Sequence, residues 1–148
     1  MASERVTPEP FVTVDKTELS LPSRIETVAA AAAAVADFVS RSGVSEDAAF
    51  GIDMAVREAV TNAVVHGNSE DEAKLVAIVL RSLPDAVEII VRDQGPGFNP
   101  NEVPDPTAEE NILKTSGRGI FFMRSFMDEV DWFLPPEGGT TVRMLKRR

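Results

Sequence analysis

The sequence predicts an α+β fold in which a mostly antiparallel sheet carries helices on one face, a two-layer sandwich. Short apolar segments come in adjacent pairs joined by tight turns, the signature of antiparallel hairpins. Two long helical segments lie together ahead of those pairs. A chain of 148 residues with 43% hydrophobic content suits one domain with a sizeable core.

The first eight residues, MASERVTP, read as a flexible tail, and residues 9–148 as the single domain. From Phe11 to Leu21, polar residues interrupt Phe11, Val12, Val14, Leu19 and Leu21, which suggests an edge strand. Ser23 and Glu26 have the S-x-x-E spacing of a capping box, so a helix is expected from about Arg24 to Arg41, closed by Gly43. Its alanine run is short for a membrane span and is flanked by Glu26 and Asp37.

A second helix is expected after Ser45, with Glu46 and Asp47 at its positive end, running to Gly67. Ile52, Val56, Ala59 and Ala63 recur at spacings of three and four and form its buried stripe. The segments KLVAIVLRS and AVEIIVRD follow as a hairpin turning at Pro84 and Asp85. Residues 94–116, with four prolines and few apolar side chains, form a long loop of the kind that serves as a lid. GRGIFFMRSFMDEV predicts a helix starting near Gly119, and EVDWFLP and TTVRMLKR a last hairpin around PEGG.

The formal charge of -9 opposes nonspecific binding to DNA or to anionic membranes, while permitting local phosphate sites. Absence of cysteine excludes disulfides, thiolate metal sites and a cysteine nucleophile, and one histidine argues against zinc. The expected setting is soluble and cytoplasmic.

Three features are candidates for chemistry, each with a plain structural alternative. Glu58 and Asn62 share one helix face inside the apolar stretch AVREAVTNAVVH. A carboxylate there can accept a proton from an attacking hydroxyl, and an amide oxygen can help hold Mg²⁺ beside phosphates; alternatively the pair is a solvated polar face. Asp93 ends a strand and meets the turn Gly95-Pro96-Gly97, where backbone can approach a flat ligand or the chain can merely reverse. Phe98 is a candidate for the same ligand site, or simply anchors the loop in the core. SGRG at 116–119 opens a helix, where free amides favour phosphate oxygens or the glycines serve only as a joint; Lys114 and Arg118 add charge nearby. His66, at a helix end, either faces the same cavity or is held there by the helix dipole.

In this order the motifs resemble the GHKL ATPase superfamily. EAVTNAVVHG is similar to its N box, DQGPGF to its first glycine box and SGRGI to its second, with the ATP lid between. More closely, REAVTNAVVHGN, VPDP and GRGIFFMRSFMDEV resemble the bacterial anti-sigma-factor serine kinases, over nearly the whole chain. The resemblance implies a Bergerat-type α/β sandwich binding ATP and Mg²⁺, with Glu58 as catalytic base and Asn62 as Mg²⁺ ligand. It makes Asp93 the acceptor of the adenine amino proton, aided by Thr141. Gly95 and Gly97 shape the pocket and the lid hinge, and Gly117, Arg118 and Gly119 lie by the phosphates. Some members carry arginine where this chain has Thr115, which leaves the γ-phosphate contact to Lys114 or Arg118.

The implied reaction is phosphorylation of a serine in a STAS-type anti-anti-sigma factor, by a protein that also sequesters a sigma factor and forms a homodimer. A nucleotide-gated partner switch without kinase turnover is the alternative.

Overall fold

Alternation of buried and more exposed residues along the strands builds the sheet, described here from a computed structural model that covers residues 15–95, 115–136 and 138–148, with backbone alone at 115–118 and 120. The strands are β1 (Asp15–Pro22), β2 (Leu75–Ser82), β3 (Ala86–Arg92), β4 (Glu129–Phe133) and β5 (Thr141–Arg147). They pair in the order β1-β2-β3-β5-β4, and every pairing is antiparallel. Val76, Ile78 and Leu80 on β2, Val87, Ile89 and Val91 on β3, and Val142 and Met144 on β5 turn one face inward and are buried.

Among the described residues three helices cover that face: α1 (Glu26–Ser42), α2 (Glu46–Thr61) and α3 (Thr115–Phe126). Phe38 of α1, Ile52, Val56 and Val60 of α2 and Met123 of α3 join the strand residues in one core. Each large apolar side chain buried there contributes about 1.5–3 kcal/mol by removal from water. The two-layer antiparallel architecture expected from the sequence is the one observed. Among the described residues no helix is long and apolar enough to cross a membrane.

Helix ends follow local chemistry, with three departures from expectation. Ser45 caps α2 by accepting from the Ala48 amide at 3.1 Å, and Gly43 ends α1 in the left-handed conformation at φ 70°. The capping box at Ser23 and Glu26 does not form. Ile25 is the N-cap residue, and Ser23 is fully buried, donating to the Lys74 carbonyl at 2.7 Å and accepting from Asn68 Nδ2 at 2.8 Å. The second helix does not continue to Gly67 in α form, because residues Asn62–Gly67 widen into a π-helical turn. α3 starts at Thr115, so S-G-R-G lies in its first turns and does not precede them. Packing of Gly119 against α2 outweighs the poor helix propensity of the glycines.

The opposite face of the sheet holds an ion-pair network centred on one buried carboxylate. Glu88 on β3, its side chain 6% exposed, meets Arg81 Nη1 at 2.8 Å and Arg143 Nε at 2.6 Å. Arg143 also reaches Glu129 at 3.5 Å and Asp131 at 3.4 Å. Burial works against the Arg143 charge, but hydrogen bonds and charge from Glu88 and Glu129 more than offset it and raise its pKa.

Glu88→Ala removes the buried carboxylate that Arg81 and Arg143 share, and we expect a loss of about 2 kcal/mol. At this chain length that corresponds to a fall of roughly 4–8 °C in melting temperature. A thermal melt unchanged within error would show that the network contributes nothing.

Candidate functional site

Two clusters meet at the two ends of the π-helical turn. At its start, Glu58 and Asn62 project from the end of α2 toward α3. Gly119 backs onto both: a Cβ at position 119 would collide with Glu58 Oε2 and lie 2.9 Å from Asn62 Nδ2. Asn62 Oδ1 is buried and has no hydrogen-bond partner among the described residues. An orphaned buried amide oxygen costs about 1–3 kcal/mol, so the arrangement suits an electropositive partner. A divalent cation bound to oxygen ligands is one such partner. Among the described residues no three His, Asp or Glu side chains cluster to hold a metal. An ion here would rest on Asn62 and on ligand oxygens.

At the other end of the turn sits Asp93, buried at 6% exposure where β3 runs out. Its Oδ1 accepts from the Gly95 amide and from the Thr140 amide, each at 3.0 Å. Its Oδ2 lies against the π-helical turn, since a Cβ on Gly67 would collide with it. That oxygen accepts no hydrogen bond among the described residues, and it can take an N–H from a ligand. Gly95 approaches so closely that a Cβ there would strike the Gly67 carbonyl. Only glycine fits at that contact. Burial raises the Asp93 pKa, against the opposing backbone hydrogen bonds from Gly95 and Thr140 and the charges of Arg92 and Lys74.

The residues expected from the sequence therefore fall into place unevenly. Glu58, Asn62 and Gly119 form one group, and Asp93 and Gly95 the other. His66 lies in the turn between them with its side chain exposed. Thr140 makes the contact with Asp93, whereas Thr141 is the first residue of β5 and pairs with Arg92. Gly117 and Arg118 lie in the first turns of α3. Gly97, Phe98 and Lys114, with most of the expected lid, lie outside the described residues.

A match to the family profile described as a histidine kinase-like ATPase domain spans residues 21–146. The chain belongs to this family. It is 35% identical over 136 residues to an anti-sigma F factor of Oceanobacillus iheyensis, covering 89% of this chain and 93% of the relative. It is 33% identical over 141 residues to the serine-protein kinase RsbW of Staphylococcus epidermidis, covering 90% and 87%. Among solved structures it is similar to the RsbU and RsbW domains of Rv1364c from Mycobacterium tuberculosis, with a TM-score of 0.66 at 18% identity. That likeness covers 90% of this chain and 32% of the solved one, and shows the shared fold. Membership of this ATPase family, beside relatives named as serine-protein kinases, makes the domain an ATP-dependent protein kinase by type.

Sequence reasoning missed Asn68. Its side chain is fully buried, donates to Ser23 Oγ at 2.8 Å and to the Leu75 carbonyl at 3.1 Å, and accepts from the Gln94 amide at 2.7 Å. Gln94 Oε1 in turn accepts from the Leu75 amide at 2.6 Å. Asn68 thus ties the residue after Asp93 to the end of the π-helical turn. An asparagine following glycine reads locally as a turn residue, and its partners 7, 26 and 45 positions away leave no local signal.

Asp93→Asn provides a test of the burial cost. A carboxyl with a raised folded-state pKa contributes stability that is complete below the ordinary aspartate value and lost as pH rises through the raised one. Asparagine keeps an amide oxygen for Gly95 and Thr140 and carries no charge. We expect the variant to be at least as stable as wild type at pH 7, with the gap closing as pH falls toward the ordinary aspartate range. Denaturant titrations across that range check it; a gap that widens on acidification contradicts it.

Proposed function

We propose that this chain is an anti-sigma factor that transfers the γ-phosphoryl group of ATP to a serine of a STAS-type anti-anti-sigma factor and that sequesters a sigma factor. The observation carrying the reading is the pairing of Glu58 with Asn62 against Gly119, with Asn62 Oδ1 buried and unpartnered. The similarity to proteins named anti-sigma F factor and serine-protein kinase supports it. In this reading the protein works as a homodimer in the cytoplasm.

Asn62 Oδ1 is the protein ligand for Mg²⁺, and bound Mg²⁺ supplies charge neutralisation at the phosphates. Asp93 Oδ2 accepts the adenine amino proton, while Thr140 and Gly95 saturate Oδ1 and hold the carboxylate in orientation. His66 borders the nucleotide from the turn between the two clusters. Gly97 hinges the lid and Phe98 anchors it. Gly117, Arg118 and Gly119 present the start of α3 to the phosphates, and Lys114 adds positive charge beside them.

Glu58 takes the proton of the attacking serine hydroxyl as the serine oxygen bonds to the γ-phosphorus and the bond to the β,γ-bridging oxygen breaks. ADP leaves with that oxygen. Positioning and electrostatics carry most of such a transfer, so a base contributes about 10²–10⁴-fold.

Two substitutions separate binding from chemistry. Glu58→Gln is expected to keep ATP affinity and to lose about 10²–10⁴-fold in serine phosphorylation, followed with labelled ATP and a STAS-domain acceptor. Asp93→Asn is expected to weaken ATP binding about 10- to 100-fold by calorimetric titration, the worth of a hydrogen bond to a charged group. Equal phosphorylation by Glu58→Gln and wild type, or unchanged ATP affinity in Asp93→Asn, would sink the corresponding assignment.

A further inference from the structure

Large apolar side chains stand exposed at several points, and at one of them, Phe50, an aromatic cluster joins α2 to α3. Phe50 on α2 is 59% exposed and meets Phe126 of α3 edge-to-face, with ring centroids 5.8 Å apart at 68°. Phe126 meets Phe122 in the same manner at 4.8 Å and 62°. The two helices run antiparallel here. Gly51 lies against the Phe126 backbone, where a Cβ would come within 2.9 Å of the carbonyl, and Glu58 lies against Gly119.

Helical spacing gives this cluster a direction. Phe50, Met54 and Glu58 succeed one another every four residues on α2, and Phe126, Phe122 and Gly119 follow at four and three on α3. The result is an apolar track about 12 Å long, from the rise of a helix over eight residues, that ends at the Glu58 carboxylate. The Asp53–Arg57 ion pair at 3.0 Å gives the neighbouring strip of α2 a polar rim. Aromatic and methionine side chains inside a polar rim are the composition of an interface centre.

We propose that this track is the docking surface for the phosphoacceptor protein, a folded partner that presents a serine hydroxyl beside an apolar knob. The inference rests on Glu58 as the base. A hydroxyl that gives its proton to Glu58 must come within about 2.6–3.2 Å of the carboxylate, so the protein bearing it must cover the surface beside that residue. The surface beside it on α2 is Met54 and then Phe50. Of the other exposed large apolar side chains, Phe121 stands on α3 itself, while Ile25, Leu75, Phe133 and Leu134 lie on neither α2 nor α3.

The test is acceptor-dependent kinetics at saturating ATP, with Phe50→Ala and, as the control, Phe133→Ala, at a residue of β4 that is 52% exposed. Phe50→Ala is expected to raise the KM for acceptor at least about tenfold, as truncation of a central interface aromatic does, with kcat and ATP affinity within about twofold. Phe133→Ala is expected to leave the KM unchanged. An unchanged KM in Phe50→Ala, or an equal rise in Phe133→Ala, overturns the docking surface and leaves the kinase assignment standing.

If wild type binds an acceptor without phosphorylating it, the kinase reading fails alone. Acceptor affinity by calorimetry then decides the surface, a tenfold loss in Phe50→Ala upholding it and an unchanged value overturning it. Binding of no acceptor at all overturns both.

Discussion

A carboxylate with almost no water around it governs the layout of the candidate site. Asp93 can be buried where β3 ends only because the surrounding backbone supplies two amide donors to one oxygen and leaves out three side chains. Gly67 and Gly95 meet at a separation that no Cβ permits, and Gly139, at φ 83°, passes the Asp93 carbonyl just as closely. This contact brings the π-helical turn, the exit of β3 and the approach to β5 to one point. Asn68 fixes the same junction from beneath through Ser23, Leu75 and Gln94. A buried polar hub of this kind is stable because each of its bonds is made; removing one partner would leave the others unsatisfied.

The second cluster depends on the first through the turn that joins them. Six residues in π form carry the chain from Asn62, beside α3, to Gly67, beside Asp93. The wider turn is a local departure from regular helix, and such departures concentrate at functional sites. On the far side, glycines at 51 and 119 let α3 approach α2 closely at both ends of their contact. The strand end thus fixes one half of the site and helix packing fixes the other. A ligand that touches both senses their relative placement.

Much of this was legible in the chain and some was not, for physical reasons. The hairpins were readable because alternation and a two-residue turn are local, and β2 and β3 pair around Pro84 and Asp85 as expected. Ser45 and Gly43 act as caps because their partners lie within a few residues. Ser23 has the same local signature, but burial gave its hydroxyl to Asn68 and Lys74, partners that no spacing rule supplies. α3 starts at Thr115 and not near Gly119, and the packing of Gly119 against α2 that accompanies this is a tertiary contact with no local signal. Glu58, Asn62 and Asp93 were visible because polar residues stand out in apolar company. Their supports, Asn68 and Thr140, look like ordinary turn residues until the fold closes.

The arrangement also bears on how nucleotide and partner would influence each other. In the proposed assignment the adenine end rests on Asp93 and the sheet, while the phosphate end rests on α2 and α3. The aromatic track lies along the same two helices, ending at Glu58. A protein seated on that track would therefore contact the helices that carry the phosphate end and leave the adenine end untouched. Coupling between two ligands requires differential contact with an element that both bias. In that assignment the α2–α3 pair would be such an element, because Gly119 backs onto Glu58 and Asn62 while Phe126, seven residues on, backs onto Phe50 and Gly51. Any displacement of α3 that changes the phosphate end also changes the track, so partner affinity would follow the state of the γ-phosphate more than the presence of adenine.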